Sequence, residues 1–292
     1  MKVAIYGLKA SLKQKETFVD FFCELKNRQI EVVIDREFKK TVESKLEISL
    51  DTYEEFSCYK DLPEGLDLFF TFGGDGTILS ALTIVQDRNI PIVGVNTGRL
   101  GFLATINLEY LFESLDSILS GDYNLSRRSL IAIKSDEVEL DFPFALNEVS
   151  VTRRETTSMI TVDAYVNGEF LNSYWADGLI VSTPTGSTGY SLSCGGPIVH
   201  PENKTFILTP IAGHNLNVRP FIISDDSLLE LKIKSRVGEY FLSLDARNKP
   251  LPCNVRLQIS KADFHLNIVE PKEKTYLMTL RDKMFWGSDK RN

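Results

Sequence analysis

Gly73-Gly74-Asp75-Gly76-Thr77 sets one carboxylate among three glycines and a hydroxyl. Glycines free the backbone for unusual conformations and let a ligand come close. Bare amides at the mouth of a helix suit phosphate oxygens. A carboxylate there can orient a hydroxyl nucleophile or touch a metal. A second polar concentration lies far along the chain. Between Ser182 and Gly195 there are seven Ser/Thr residues, with Gly186 and Gly189 among them. A core does not accept so many hydroxyls unless they meet polar partners. Asn147-Glu148 is the third, an amide and a carboxylate side by side in the apolar run Ala145–Val149. Neighbours on a strand point to opposite faces, so one of the pair faces a polar site unless the strand ends there.

The elements around these residues are readable from hydrophobic period. Leu66, Leu68, Phe69, Phe70 and Phe72 form an apolar run of the length of a strand buried on both faces. It stops at the glycine turn, and a helix is expected from Thr77 to Gln86. Lys2–Tyr6, Gln29–Ile34 and Ile90–Val95 read as further strands. Phe18, Phe21, Phe22 and Leu25 mark one face of a helix over Glu16–Asn27, and Leu108–Leu119 reads as another. Strands alternating with helices predict an open, mainly parallel sheet with its ligand beyond the carboxyl ends of the strands. From Leu125 the segments become short, alternating and β-branched, with Asn167-Gly168 as a type I′ hairpin signal. Val255–Ile259 and Phe264–Ile268 read as two strands. The expected division is an α/β domain over residues 1–121, joined by a returning tail at 273–292, and a β-rich, sandwich-like domain over 122–272.

Composition narrows the function. The 292 residues are 43% hydrophobic and 25% charged, with a net charge of −7. The basic residues are scattered, which argues against a nucleic-acid partner. A polyphosphate ligand must then be held by local donors or a metal, because the overall field repels it. Four dispersed cysteines read as free thiols in a reducing compartment. No run approaches a membrane span and no secretory leader is evident, so the protein is expected to be cytoplasmic, with no membrane partner. Several nucleotide motifs are missing. Position 79 is Leu, so the dinucleotide fingerprint fails, and there is no Walker A sequence. Gly186-Ser187-Thr188-Gly189 is not a nucleophile elbow.

The combination of motifs resembles the NAD kinase family. It comprises GGDGT at Gly73–Thr77, NTGRLGFL at Asn96–Leu103, NEV at Asn147–Val149 and DGLIVSTPTGSTGYSLSCGGPIV at Asp177–Val199. It extends to Pro210–Ile223 and to LRDKMFWG at Leu280–Gly287. The resemblance implies transfer of the γ-phosphoryl of ATP to the adenosine 2′-hydroxyl of NAD, with Mg²⁺ or another divalent cation carried by the ATP phosphates. It also implies a homodimer or homotetramer. Asp75 is then the base or metal-linked residue, with Gly76 beside the NAD. Asn147 and Glu148 contact the NAD ribose, and Asp177 holds the nicotinamide end. Thr185, Thr188, Gly189, Tyr190 and Ser193 cradle the adenine side. Gly73, Gly74, Gly76, Thr77 and Arg99 hold the ATP phosphates, although Arg99 reads equally as a solvated loop residue. Asp245-Ala246-Arg247 departs from the family's Asp-Gly-Gln or Asp-Ser-Gln, and Trp175 stands where Arg is common. A lipid or sugar-phosphate kinase with a similar turn, and a dinucleotide sensor without catalysis, are the competing readings.

Overall fold

The computed structural model describes residues 1–98, 100–155, 158–215 and 217–286. The chain divides into two units, Met1–Arg127 with Leu266–Asn292, and Arg128–His265.

In the first unit the strands are β1 (Lys2–Gly7), β2 (Glu31–Asp35), β3 (Glu54–Phe56), β4 (Leu68–Phe72), β5 (Ile92–Asn96) and β6 (Ile106–Asn107). The helices are α1 (Lys15–Asn27), α2 (Arg36–Leu46), α3 (Asp75–Val85) and α4 (Leu111–Leu119). The strands run parallel in the order β3-β2-β1-β4-β5, with β6 beside β5. The order reverses between β1 and β4, where ligands of such sheets sit beyond the carboxyl ends. β4 delivers the glycine turn to that place. Phe72, the last residue of β4, packs against Phe18, Phe21 and Phe38 at ring separations of 4.9, 5.2 and 6.2 Å. Each such buried ring contributes about 1.5–3 kcal/mol, so the strand end behind the turn is anchored in the core.

The second unit contains β8 (Phe144–Ala145), β9 (Glu148–Arg153), β10 (Ile160–Val166), β11 (Glu169–Ala176), β12 (Gly178–Ser182), the short helix α5 (Tyr190–Ser193), β13 (Thr205–Ile211), β14 (Phe221–Ser224), β15 (Leu229–Lys234), β16 (Glu239–Leu244) and β17 (Arg247–Pro252). The strand β7 (Asn124–Lys134) leads into it and β18 (Arg256–Glu270) leads out. One antiparallel sheet has the order β14-β13-β12-β9-β16-β17. A second antiparallel layer is β11-β10-β15 with the start of β18. Val149, Val151, Leu179 and Val181 of the first sheet share a buried core with Val162, Leu231 and Leu257 of the second. The Asn167-Gly168 hairpin forms with φ of 52° and 83°, as a type I′ turn requires.

Three expectations change. Helix α3 begins at Asp75, not Thr77, so the acid lies in its first turn. The segments expected as two strands at 255–268 are one strand of 15 residues, β18, whose end pairs with β5 at Ile268↔Ile92. β17 is an unanticipated strand carrying Pro250 and Pro252, and among the described strands it pairs with β16 alone. Edge strands tolerate proline, because the missing donor faces away from the ladder. Helix α6 (Tyr276–Met284) closes the described chain, and no helix among the described residues is long and apolar enough to cross a membrane.

Candidate active site

The first constellation centres on Asp75. Its Oδ2 accepts from the amide of Phe102 at 2.8 Å, and its Oδ1 from the amides of Leu103 and Ala104 at 2.9 and 3.0 Å. Gly101 lets that loop approach, because a Cβ there would collide with the Asp75 carboxylate. Gly73 is required for a similar reason, since a Cβ would strike the Thr77 side chain. The two glycine loops therefore meet through one carboxylate. Two carboxylate oxygens offer about four lone-pair sites. Three are taken by amides, which leaves room at Oδ2 for one further donor or a cation. Of the three amides expected to hold phosphate, one already has a partner inside the turn. The Thr77 amide already donates to the Gly74 carbonyl at 2.9 Å. Gly76, the second residue of α3, has no intrahelical acceptor for its amide, and Gly74 lies exposed just before the helix. Arg99 lies outside the described residues.

The second constellation lies in the β-rich unit. Asn147 falls in a bend between β8 and β9, and Glu148 opens β9. The bend is organised by Asp245, whose carboxylate accepts from the amides of Leu146, Asn147 and Glu148 at 3.0, 2.8 and 3.2 Å. Burial raises the Asp245 pKa, and those three amides oppose the rise. Thr183 closes the bend from the other side, donating its amide to Asn147 O at 2.9 Å and its hydroxyl to Leu146 O at 2.6 Å. Arg247 donates to the carbonyls of Phe142 (2.7 Å) and Phe144, with its guanidinium over the Phe142 ring. Its departure from the family pattern thus has a structural use, fixing the strand that leads into the bend.

The hydroxyl-rich stretch splits into two groups. Thr183, Ser187 and Ser191 are buried and serve the protein itself. Ser187 bonds both polar groups of Val199 at 3.0 and 3.1 Å, and Ser191 meets Thr209 at 2.8 Å. The other group faces outward or lacks a partner. Thr185 Oγ1 and Glu148 Oε2 are buried oxygens with no hydrogen-bond partner among the described residues. Gly189 lies against the Asn147-Glu148 pair, where a Cβ would stand 3.1 Å from Glu148 Oε2 and 3.9 Å from Asn147 Nδ2. Thr188 donates to Thr185 O at 3.2 Å, while Tyr190 and Ser193 are exposed on α5. The Tyr190 phenol pKa is raised by burial first, then by Cys194, Asp177 and Glu148, which places those groups within electrostatic reach of it. Asp177 pairs with Arg153 at 2.9 Å, a partner the sequence did not suggest.

Burial, with Asp245 nearby, raises the Glu148 pKa from 4.5 to about 7, and the Tyr190 amide offsets part of this. The folded protein therefore keeps a proton that the unfolded chain gives up between those values. Glu148 should stabilise the fold fully below pH 4.5 and lose that contribution as pH rises through about 7. The shift corresponds to about 3 kcal/mol. Glu148→Gln should flatten the fall in denaturant midpoint across this window, and an unchanged slope would show that another group carries it.

Sequence reasoning did not assign roles to Asp245, Arg247 or Arg153. The signal for Asp245 is an acid just after the alternating strand β16, in the Asp245-Ala246-Arg247 position already compared with the family pattern.

Comparison with known proteins returns one family. ATP-NAD kinase N-terminal domain matches residues 9–123, and ATP-NAD kinase C-terminal domain matches residues 146–271. An NAD kinase of Flavobacterium psychrophilum is 45% identical over 296 residues, covering all of both chains. One of Cytophaga hutchinsonii is 54% identical over 227 residues, covering 77% of this chain and 78% of that one. Among solved structures, an NAD kinase from Archaeoglobus fulgidus in complex with ATP is 26% identical with a TM-score of 0.76, covering 98% of this chain and 99% of its own. Yeast NADH kinase complexed with NADH shares the fold at a TM-score of 0.86 and 24% identity, covering 100% of this chain and 89% of its own.

Proposed function

We propose a mechanism from the premise that this chain belongs to the ATP-NAD kinase family and is a phosphotransferase acting on NAD. The reaction is transfer of the γ-phosphoryl of ATP to the adenosine 2′-hydroxyl of NAD, giving NADP and ADP. The observation that carries the NAD side is the pair of partnerless buried oxygens, Glu148 Oε2 and Thr185 Oγ1, beside the bare backbone of Gly189. Buried oxygens without partners are costly, and a ribose and an adenine offer the missing donors. Asn147 and Glu148 hold ribose hydroxyls. Thr185, Thr188, Gly189, Tyr190 and Ser193 line the adenine side. Asp177, already paired with Arg153, meets the nicotinamide end.

Asp75 acts on the 2′-hydroxyl. The spare lone pair at Oδ2 accepts the hydroxyl hydrogen bond and fixes the oxygen for attack. Phosphoryl transfer passes through a loose transition state, so the nucleophile needs little activation before bond making. Correct placement is worth about 7–11 kcal/mol, against roughly 10²–10⁴ in rate from general-base assistance. Asp75 therefore acts chiefly by orientation and takes the proton late. The amides of Gly74 and Gly76, and Arg99, hold phosphate oxygens. Among the described residues no cluster of three or more His, Cys, Asp or Glu side chains could hold a metal. A Mg²⁺ would arrive on the ATP phosphates and be held by them and by water, which leaves the spare lone pair of Asp75 to the 2′-hydroxyl. When bound, the cation neutralises phosphate charge that a chain of net −7 does not. The enzyme works as a cytoplasmic homodimer or homotetramer.

With ATP, Mg²⁺ and NAD, an NADP-specific dehydrogenase should detect product, and excess EDTA should abolish it. Full activity in EDTA would refute the metal requirement. NAD binding without product would favour a sensor, and phosphorylation of a lipid or sugar phosphate instead of NAD would favour the other kinase class. Adding polyphosphate in place of ATP, and NADH in place of NAD, fixes donor and acceptor.

A further inference from the structure

We propose that two lysines of the C-terminal segment, Lys283 and Lys274, act as positioning residues for the loop that holds Asp75. The proposal rests on the reading of Asp75 given above. The loop's three central amides, at Phe102, Leu103 and Ala104, converge on the Asp75 carboxylate. The carbonyls at its two ends are taken from outside. Lys283 Nζ donates to Leu100 O, and Lys274 Nζ donates to Thr105 O at 3.2 Å.

A carbonyl shares a rigid peptide plane with the amide that follows it. Fixing Leu100 O therefore fixes the plane of Gly101, the residue whose missing side chain lets the loop reach Asp75. Fixing Thr105 O sets the other end, where β6 begins. The two clasps hold the ends of the loop whose three central amides turn towards Asp75. Lys283 also lies over the Phe102 ring, 5.7 Å from its centre.

The lysines are themselves held. Lys283 is in the last turn of α6, where a cation is favoured by the helix dipole. The helix is capped by Thr275, whose side chain accepts from the Met278 amide at 3.3 Å, and it buries Thr279 and Leu280. A third lysine of the segment, Lys272, pairs instead with the Asp122 carboxylate and touches neither end of the loop. Lys283 bonds Leu100 O and Lys274 bonds Thr105 O, so each acts through the loop.

The test uses the full chain and two readouts, hydrogen exchange of residues 100–105 and steady-state kinetics at saturating ATP and Mg²⁺. Lys283→Met should speed exchange there by at least about tenfold, at opening free energies below the global one. It should also lower kcat roughly 10–100-fold with KM for NAD within about twofold, as expected for a misplaced reacting group. Lys274→Met should do the same to a smaller degree. Lys283→Arg should restore both readouts, and Lys272→Met should alter neither. Unchanged exchange in 100–105 for both Met variants overturns the proposal, as does faster exchange spread evenly over the first unit. If Lys283→Met does not fold, Lys274→Met and the Arg variant carry the test. Should Asp75→Asn keep full turnover, the reading of Asp75 fails, while the exchange data still decide whether the clasp exists.

Discussion

Asp75→Asn is expected to lower NADP formation by at least about 10²-fold, the cost of a misplaced reacting group, with NAD affinity changed by less than about threefold. The magnitude follows from what the carboxylate does. It accepts from the amides of residues 102, 103 and 104, leaving one lone-pair direction for the substrate hydroxyl. An Asn side chain has one acceptor oxygen and turns two donors towards amides that are themselves donors. At least one of the three loop bonds is lost, and the orienting acceptor for the hydroxyl is lost with it. The fold should survive, because Phe70 and Phe72 on β4 are fully buried. The stability loss should be about 1–3 kcal/mol, the scale of bonds to a charged group. Turnover equal to the parent protein would remove Asp75 from the mechanism. A rise in KM for NAD with unchanged kcat would make it a binding residue instead.

Asp245→Ala is expected to weaken NAD binding by at least about tenfold and to destabilise the chain by about 3 kcal/mol or more. The change strips the acceptor from three consecutive amides, at 146, 147 and 148. Each unsatisfied buried donor costs about 1–3 kcal/mol. The Asn147-Glu148 bend would then be held by Thr183 and by the main-chain bond from the amide of residue 245 to Glu148 O at 2.9 Å. Calorimetric titration of NAD, with urea denaturation of the same samples, checks both halves. A large stability loss with unchanged NAD affinity would mean that Thr183 and the main chain suffice to place the pair. Arg247→Gln, which brings back the residue common in the family, should cost less, because it leaves Asp245 in place.

Asp75 and Asp245 illustrate what the sequence could and could not convey. Local features were legible. The apolar run into the glycine turn, the Asn167-Gly168 hairpin and the change of texture near Leu125 each depend on neighbours a few residues apart. So were the polar pair Asn147-Glu148 within an apolar run and the place of Gly189 in the hydroxyl-rich stretch. What each carboxylate holds was not, because the amides lie 27–29 residues from Asp75 and 97–99 from Asp245. No periodicity reports such distances. The start of α3 was misplaced because two glycines and an acid carry little helical preference, whereas tertiary contacts to the Phe102 loop set that first turn. The hydroxyl count over residues 182–195 predicts polar partners without saying which hydroxyls find them inside the protein. Thr183, Ser187 and Ser191 face protein carbonyls, an amide and another hydroxyl. β18 was divided at Ser260–Asp263, where polar residues interrupt the apolar pattern of one continuous strand.

The position of the transferred phosphate tests the central claim most directly. ATP labelled with ¹⁸O at the γ-phosphoryl group is incubated with the full chain, Mg²⁺ and NAD, and the products are followed by phosphorus NMR and mass spectrometry. The label should appear in a phosphomonoester on the adenosine 2′-oxygen, in step with ADP formation, and at least about 10²-fold more slowly with Asp75→Asn. Label confined to inorganic phosphate, or found on another hydroxyl of NAD, would contradict the account.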